Sequence, residues 1–247
     1  MTRFKATGLH LLISLLLATI LISLMLALWY PNAYFKLMGG KKLIFLVGTV
    51  DVFLGPLLTF IVFKTDKKSL KFDLLCIATL QAAAMSYGLF VMFQARPVFT
   101  VFNKTSFHVV SVVDIAPKEL ALAKKNEWRT LPITGPKLVA IGSSDKSNKE
   151  EKAFASAVSE TAFRYPKLYD DYKKHQTEVI KAGKPLDELA AFNAANALTV
   201  DKFIKEMMRP MSDFLYLPVE SMVDKMVVIV EAKTGAFIQI IDAESLY

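Results

Sequence analysis

The apolar residues of this chain are concentrated in three long stretches within its first 93 residues, and mixed sequence follows to residue 247. The stretches cover residues 9–30, 43–63 and 74–93, and basic residues border each of them. A helix needs about 20 apolar residues to cross ~30 Å of hydrocarbon. The pattern therefore predicts a three-helix transmembrane region over residues 1–96, with the aromatic pair Trp29 and Tyr30 at a membrane interface.

Residues 97–247 show strand-like and helix-like patterns instead of long apolar stretches. Two pairs of β-rich segments joined by short polar turns predict hairpins, and a fifth segment predicts a further strand. The predicted strands are 98–103, 107–114, 138–141, 225–232 and 236–242. Helical periodicity predicts helices at 168–182, 186–197 and 199–208. We expect a small α+β domain with an antiparallel sheet and its helices on one side.

The charges separate these two parts of the chain. Residues 1–96 hold 10 of the 30 Lys and Arg and 3 of the 23 Asp and Glu, so residues 97–247 have no net charge. A soluble part without net charge lacks the basic surface that nucleic-acid binding needs, and we expect no nucleic-acid partner. The basic residues on the two sides of the predicted spans are almost equal in number, so charge leaves the orientation open.

The sequence contains no recognisable set of catalytic or metal-binding residues. The only cysteine, Cys76, lies inside a predicted span, and the three histidines stand apart from other metal-type ligands. His175 and Glu178 are three residues apart on a predicted helix, which is typical of a solvated face. No nucleotide-binding or nucleophile motif is present. We therefore expect no enzyme activity, no metal and no cofactor.

Asp51 is the residue that packing explains least, because it is ionisable and lies about eight positions inside the second predicted span. A charge there costs ~2.5–3.5 kcal/mol on insertion scales and often indicates function. Gly48, Asp51, Gly55 and Thr59 share one helix face and form a strip of small or polar residues. The strip either packs against the other two spans or binds a transmembrane helix of a partner.

Depth along the predicted spans suggests where Asp51 would find polar neighbours. At ~1.5 Å per residue, Ser23 of the first span and Ser86 and Tyr87 of the third reach about the depth of Asp51. The sequence thus predicts a possible intramembrane polar cluster of Asp51, Ser23, Ser86 and Tyr87.

Two segments carry a resemblance to a known family. The sequence DVFLGPLLT at 51–59 and the sequence QARPVFTVFN at 94–103 resemble the TfpX/TfpZ family of type IV pilin accessory proteins, and the general layout agrees over nearly the whole chain. The resemblance implies a bacterial inner-membrane protein with a cytoplasmic N-terminus and a periplasmic domain. It also implies an accessory protein or chaperone whose partners are a type IV major pilin and inner membrane lipid.

The family lends no catalytic residues to this chain. The resemblance therefore agrees with the expectation of a non-enzymatic helper for pilus assembly. A membrane-anchored envelope enzyme or a ligand-binding receptor with a periplasmic domain is the alternative. Such a protein should have a polar pocket in its α+β domain, lined by convergent titratable side chains.

Overall fold

The computed structural model describes residues 2–65, 67–142 and 149–244, with the side chains described except at 42, 43, 46, 47, 49–51 and 149–152. The chain forms two compact units. The first consists of Met1–Leu28 and Gly39–Ala95, and the second of Trp29–Met38 and Arg96–Tyr247. The segment Trp29–Met38, which the sequence analysis included in the transmembrane region, thus belongs to the second unit.

Helices form most of the first unit and flank the sheet of the second. They are α1 (Arg3–Leu28), α2 (Tyr34–Leu37), α3 (Gly40–Thr49), α4 (Gly55–Val62), α5 (Leu70–Ala95), α6 (Pro117–Ala121), α7 (Lys149–Ala157), α8 (Gln176–Ala182), α9 (Leu186–Phe192) and α10 (Ala194–Met207). The strands are β1 (Pro97–Asn103), β2 (Ser106–Ser111), β3 (Lys137–Ile141), β4 (Tyr169–Asp171), β5 (Lys184–Pro185), β6 (Phe214–Glu220), β7 (Lys225–Glu231) and β8 (Phe237–Ile241).

Two helices of the first unit, α1 and α5, are long and apolar enough to cross a membrane. The middle stretch differs, because a π-helical turn, Val50–Leu54, joins α3 to α4. Pro56 follows this turn and has no N–H to bond the carbonyl four residues earlier, which favours irregular helical geometry there. The predicted middle span, 43–63, is therefore an interrupted helix, and three transmembrane helices are not shown.

The second unit is built on one mixed sheet, not the antiparallel sheet predicted from the sequence. Its strand order is β4-β3-β1-β2-β6-β7-β8, with β5 paired to β6. The hairpins β1–β2 and β7–β8 are antiparallel as predicted. The pairs β1–β3 and β2–β6 are parallel. Parallel strands need a crossover connection, and the local patterns that indicate hairpins do not detect such distant pairs.

The sheet is covered on both faces. Every residue of β1 is buried, and neighbouring side chains of a strand point to opposite faces. Phe99 and Val101 pack in a cluster with Trp128, whereas Thr100 contacts Tyr34 of α2. A second apolar cluster joins α9 and α10 to β6, β7 and β8. The segment Trp29–Met38 is thus one of the layers that cover the sheet.

Candidate functional site

The segment Trp29–Met38, which we call the docked segment, is fixed to the sheet by two polar contacts as well as by burial. The Tyr34 hydroxyl lies 2.7 Å from the Thr100 hydroxyl in β1. The Ser221 hydroxyl donates to the Leu37 carbonyl at 2.6 Å. Burial raises the pKa of Tyr34 to about 12, although the hydrogen bond to Thr100 opposes the shift. The connection that follows α1 is therefore a structural part of the second unit, which we call the sheet domain.

Tyr30, one of the aromatic pair predicted at a membrane interface, packs inside the second unit instead, whereas Trp29 is only partly buried. Tyr30 is almost fully buried and packs edge-on against Phe35, with 6.2 Å between ring centroids. Within the same segment, Lys36 forms an ion pair with Asp242, next to the end of β8. Tyr30 thus stabilises the docked segment and does not present its ring at a lipid interface.

Arg96 fixes the point where the sheet domain begins, directly after α5. Its side chain is 4% exposed, and its Nε donates to the Pro132 carbonyl at 3.3 Å. Its own carbonyl accepts from the Val112 N–H at 3.3 Å. A buried guanidinium needs such partners because desolvating an unpaired charge is costly. Arg96, which follows α5 in the chain, is therefore bonded to two separate loops of the second unit.

The described members of the predicted strip face the interior of the first unit. Thr59 is 2% exposed, and Gly55 is also buried. A Cβ at Gly55 would lie 1.9 Å from Nε2 of Gln81, so a larger residue there would require the end of the Gln81 side chain to move. Gly48 lines a small apolar pocket of about 40 Å³ between α1, α3 and α5. This agrees with the packing alternative, while binding of a partner at the strip stays a prediction.

The predicted cluster around Asp51 is described only in part. Asp51 lies in the π-helical turn, and its side chain is outside the described residues. Ser23, Ser86 and Tyr87 are exposed on their helices, and the Ser86 hydroxyl donates to the Ala82 carbonyl of its own helix at 2.7 Å. No contact of Asp51 with these residues is described, and the cluster stays a prediction.

Sequence reasoning missed a polar contact that connects the three helical stretches of the first unit. His10 Nδ1 lies 2.6 Å from the Thr59 hydroxyl, and His10 Nε2 lies 2.8 Å from Oε1 of Gln81. With its proton on Nε2, the ring donates to Gln81 and accepts from Thr59. The sequence does show polar residues inside apolar stretches. Only the packing of α1, α4 and α5 shows which of these polar residues contact each other.

A cleft beside this contact opens between α1 and α5. Its volume is about 210 Å³, and its lining includes His10, Ser14 and Gln81 among apolar side chains. The first unit therefore contains one mainly apolar and one partly polar recess, both formed by residues of predicted spans.

The two histidines of the sheet domain have structural surroundings. His175 is buried, with Nδ1 3.1 Å from Glu178 and Nε2 3.4 Å from Asp170. The solvated face predicted for this pair is therefore wrong for His175. His108 stacks on Phe163 with 4.2 Å between ring centroids. Among the described residues, no three His, Cys, Asp or Glu side chains are placed to hold a metal ion.

An open groove of about 460 Å³ lies between α10 and β8. Its charged residues, Lys202, Glu206 and Asp242, have side chains that are more than half exposed. Catalytic groups usually lie in sites that exclude water, and these side chains are open to solvent. The groove therefore gives no support to the enzyme alternative.

Comparison with known proteins finds relatives that are similar to this chain over most of its length. Residues 1–39 match the family described as Fimbrial assembly protein FimB. Two proteins of Dichelobacter nodosus, named fimbrial assembly proteins of serogroup E1 and serogroup I, are each 34% identical to this chain. Each alignment covers 88% of this chain and 86% of the relative.

A third Dichelobacter nodosus protein is named fimbrial assembly protein of serogroups C1 and C2. It is 41% identical over 121 residues, which cover 48% of this chain and 92% of that relative. None of these names is TfpX or TfpZ, so the family name suggested by the resemblance is not confirmed. No solved structure matches the chain.

Proposed function

Because this chain belongs to the fimbrial assembly protein family of its Dichelobacter nodosus relatives, we propose that it is a membrane-anchored accessory protein for type IV pilus assembly. The observation that carries the proposal is 34% identity to proteins named for fimbrial assembly over 88% of the chain. So broad an alignment includes residues of both compact units. The relatives' names describe assembly rather than a reaction, which agrees with a non-enzymatic role.

The partner that fits this role is a cognate type IV major pilin. Before assembly, a pilin has an apolar helix in the inner membrane and a globular head outside it, so a helper that holds it needs surfaces in both environments. This chain has long apolar helices in one unit and a mixed sheet in the other. Binding supports pilin stability or assembly and requires no chemical turnover.

The docked segment supports three membrane crossings, which put the sheet domain on the side opposite to the N-terminus. Trp29–Met38 and Arg96–Tyr247 form one compact unit, so both lie on the same side of the membrane. The residues between them must then cross an even number of times. If α5 is one crossing, the interrupted helix from Gly40 to Val62 is the other, and its 23 residues span ~34 Å at helical rise. Inner-membrane location with a cytoplasmic N-terminus completes the proposal.

Gly48 gives a direct test of whether the strip captures a helix of the pilin. A Cβ at Gly48 meets no atom within 4 Å, so the first side-chain atom of Gly48→Leu has open space beside the apolar pocket that Gly48 lines. If a partner helix packs there, this variant should remain in the membrane at normal amount and lose pilin from a cross-linked complex. Gly8→Leu is the matched control, since Gly8 is equally open and lies outside the strip. Equal pilin recovery with both variants would place recognition elsewhere.

Deletion of the gene tests the function itself. We expect lower surface piliation or a lower level of the cognate pilin, and no effect on an unrelated pilin in the same cells. Expression of the intact chain from a second locus should restore both. Normal pili in the deletion strain under the same growth conditions would contradict the proposed function.

A further inference from the structure

The second unit connects to the helices of the first at three points in the chain. The chain enters it at Trp29, leaves it after Met38 and returns at Arg96. If α1 and the helical segments that follow lie in a bilayer, the chain passes between the bilayer and the sheet domain at these three residues. This condition rests on the membrane anchoring proposed above.

Two exposed apolar side chains lie beside the last of these points. Val113 is 68% exposed and follows Val112, whose N–H donates to the Arg96 carbonyl. Ile133 is also 68% exposed and follows Pro132, whose carbonyl accepts from the Arg96 side chain. Each is therefore next in sequence to a residue that forms a hydrogen bond with Arg96, which follows α5 in the chain.

A second exposed apolar pair lies beside the segment that leads back to the helices. Met222 is 64% exposed and Val223 is 55% exposed. They follow Ser221, whose hydroxyl donates to the Leu37 carbonyl, one residue before the exit at Met38. The Val223 N–H donates in turn to the Ser221 hydroxyl at 3.0 Å. This short turn is thus held next to the second connection.

These four residues differ from the exposed apolar residues elsewhere in the domain. Leu198 and Met208, at 72% and 89% exposed, belong to α10 and its C-terminal end, and no described contact joins them to a connecting segment. Clustered apolar exposure usually indicates an interaction surface, whereas isolated exposed residues are ordinary. Here the exposed residues gather at two of the places where the chain passes into apolar helices.

We propose that Val113, Ile133, Met222 and Val223 form a lipid-contacting surface that enters the boundary between headgroups and acyl chains. We call these four residues the base surface. Lipid is the occupant because hydrogen bonds hold the neighbours of these residues to Arg96 and Leu37, which lie close in sequence to the proposed membrane helices. Side chains at such a surface enter the boundary by about 5–10 Å. The base surface then limits tilting of the domain, so that it presents a constant face to a partner at the membrane.

Site-specific labelling of the full chain tests this directly. In a Cys76→Ser background, single cysteines replace Val113, Ile133, Met222 or Val223, and carry an environment-sensitive nitrobenzoxadiazole label. Leu198→Cys and Met208→Cys are the matched controls, because both are exposed apolar positions of the same domain. The proteins are reconstituted in vesicles of phosphatidylethanolamine and phosphatidylglycerol, with or without lipids that carry a quencher near the top of the acyl chain.

We expect blue-shifted emission and about twofold quenching by lipid at the four base positions, and green-shifted, unquenched emission at the two controls, in keeping with the boundary depth. Base positions that are unquenched by lipid and accessible to aqueous iodide would overturn the proposal. Positions protected from both quenchers would overturn it too, because a protein surface would then cover them.

The native cysteine separates this inference from the proposal on which it rests. Cys76 is exposed on α5, so its label in the otherwise unchanged chain should be quenched by lipid if α5 is embedded. Quenching at Cys76 without quenching at the base positions would reject the base surface and leave anchoring intact. Absence of quenching at Cys76 would show that α5 is not embedded, and it would reject the base surface together with this condition.

Discussion

His10 is the residue whose contacts most directly join the helices of the first unit. Its ring contacts Thr59 in α4 and Gln81 in α5, so His10→Ala leaves two polar groups without this partner. Interhelical hydrogen bonds in membranes contribute about 0.6–2 kcal/mol each. We predict a loss of about 1–2 kcal/mol in the free energy of unfolding in detergent micelles, measured by denaturant titration of the full chain.

A double-mutant cycle with Thr59→Ala shows whether this loss comes from the contact. The combined variant should lose less than the sum of the two single losses, because each single change already removes the same bond. Ser86→Ala is the control, since Ser86 bonds only a carbonyl of its own helix in the described structure. Additive losses for His10 and Thr59 would show that the two residues act independently.

We expect His108 to make the free energy of unfolding depend on pH. Burial lowers the pKa of His108, Glu220 opposes this shift and Lys225 adds to it. A lowered pKa favours the neutral ring in the folded state, so stability is complete above the unfolded value of about 6.5 and declines as the pH falls below it. We predict that His108→Gln reduces the slope of melting temperature against pH between about 6.5 and 5.

The contacts of individual residues show what could and could not be predicted from the sequence. Thr59 was identified because its spacing places it on the helix face of Gly48 and Gly55, and the structure shows it buried there. Its partner His10 is 49 positions away, so no local periodicity connects them. Which faces of three helices meet is decided by their mutual packing, including the space that Gly55 leaves for Gln81.

At the scale of elements, the docked segment Trp29–Met38 should contribute measurably to the stability of the sheet domain. Tyr34→Phe removes the contact with Thr100. Ser221→Ala removes the bond to the Leu37 carbonyl and also the bonds that the hydroxyl accepts within its own turn. Each loss should lower the free energy of unfolding by about 1 kcal/mol, because a net intramolecular hydrogen bond contributes about that much.

Lys36→Ala is the control for these two variants. It removes an ion pair whose side chains are 42% and 57% exposed, and exposed pairs contribute about 0–1 kcal/mol. The measurement is thermal unfolding of the full chain in micelles, followed by near-ultraviolet circular dichroism. Tyr34→Phe and Ser221→Ala with unchanged unfolding would mean that the segment is held by burial alone.

The strands predicted from the sequence agree with the structure where the paired strands are also neighbours in the sequence. The hairpins β1–β2 and β7–β8 have short turns, so pattern and partner lie together in the chain. Residues 168–182 were predicted as one helix, yet 169–171 form β4 because they pair with β3. Strand β6 was not predicted, and Pro218 within it weakens a strand pattern. Its pairing with both β2 and β7 makes the sheet mixed.

At the scale of the whole molecule, the two compact units are interleaved along the chain. The second unit takes a segment from between two helical parts of the first, so the sequence cannot be divided at one boundary. Apolar length alone indicated helices and a following domain, which is the division that composition can reveal. The membership of Trp29–Met38 depends on buried contacts with β1 and with the turn at Ser221, which are 66 and 184 positions away.

This interleaving leads to a prediction about the sides of the membrane. An even number of crossings between Met38 and Arg96 places the loop after α4 opposite to the sheet domain. In a Cys76→Ser background, Lys68→Cys tests that loop and Lys233→Cys tests the turn between β7 and β8, since both positions are exposed. A membrane-impermeant maleimide added to cells with a permeabilised outer membrane should label Lys233→Cys and leave Lys68→Cys unlabelled until the inner membrane is opened.

The labelling pattern at these two positions also shows which part of the topology prediction is wrong, if one is. Labelling of both in intact inner membranes would mean that the loop lies on the same side as the sheet domain, and neither the interrupted helix nor α5 would then be a span. Labelling of Lys68→Cys alone would keep the crossings and reverse the orientation, because the docked segment holds both ends of the second unit on one side. Labelling of Lys233→Cys alone supports a periplasmic sheet domain, placed where the globular part of a pilin awaits assembly.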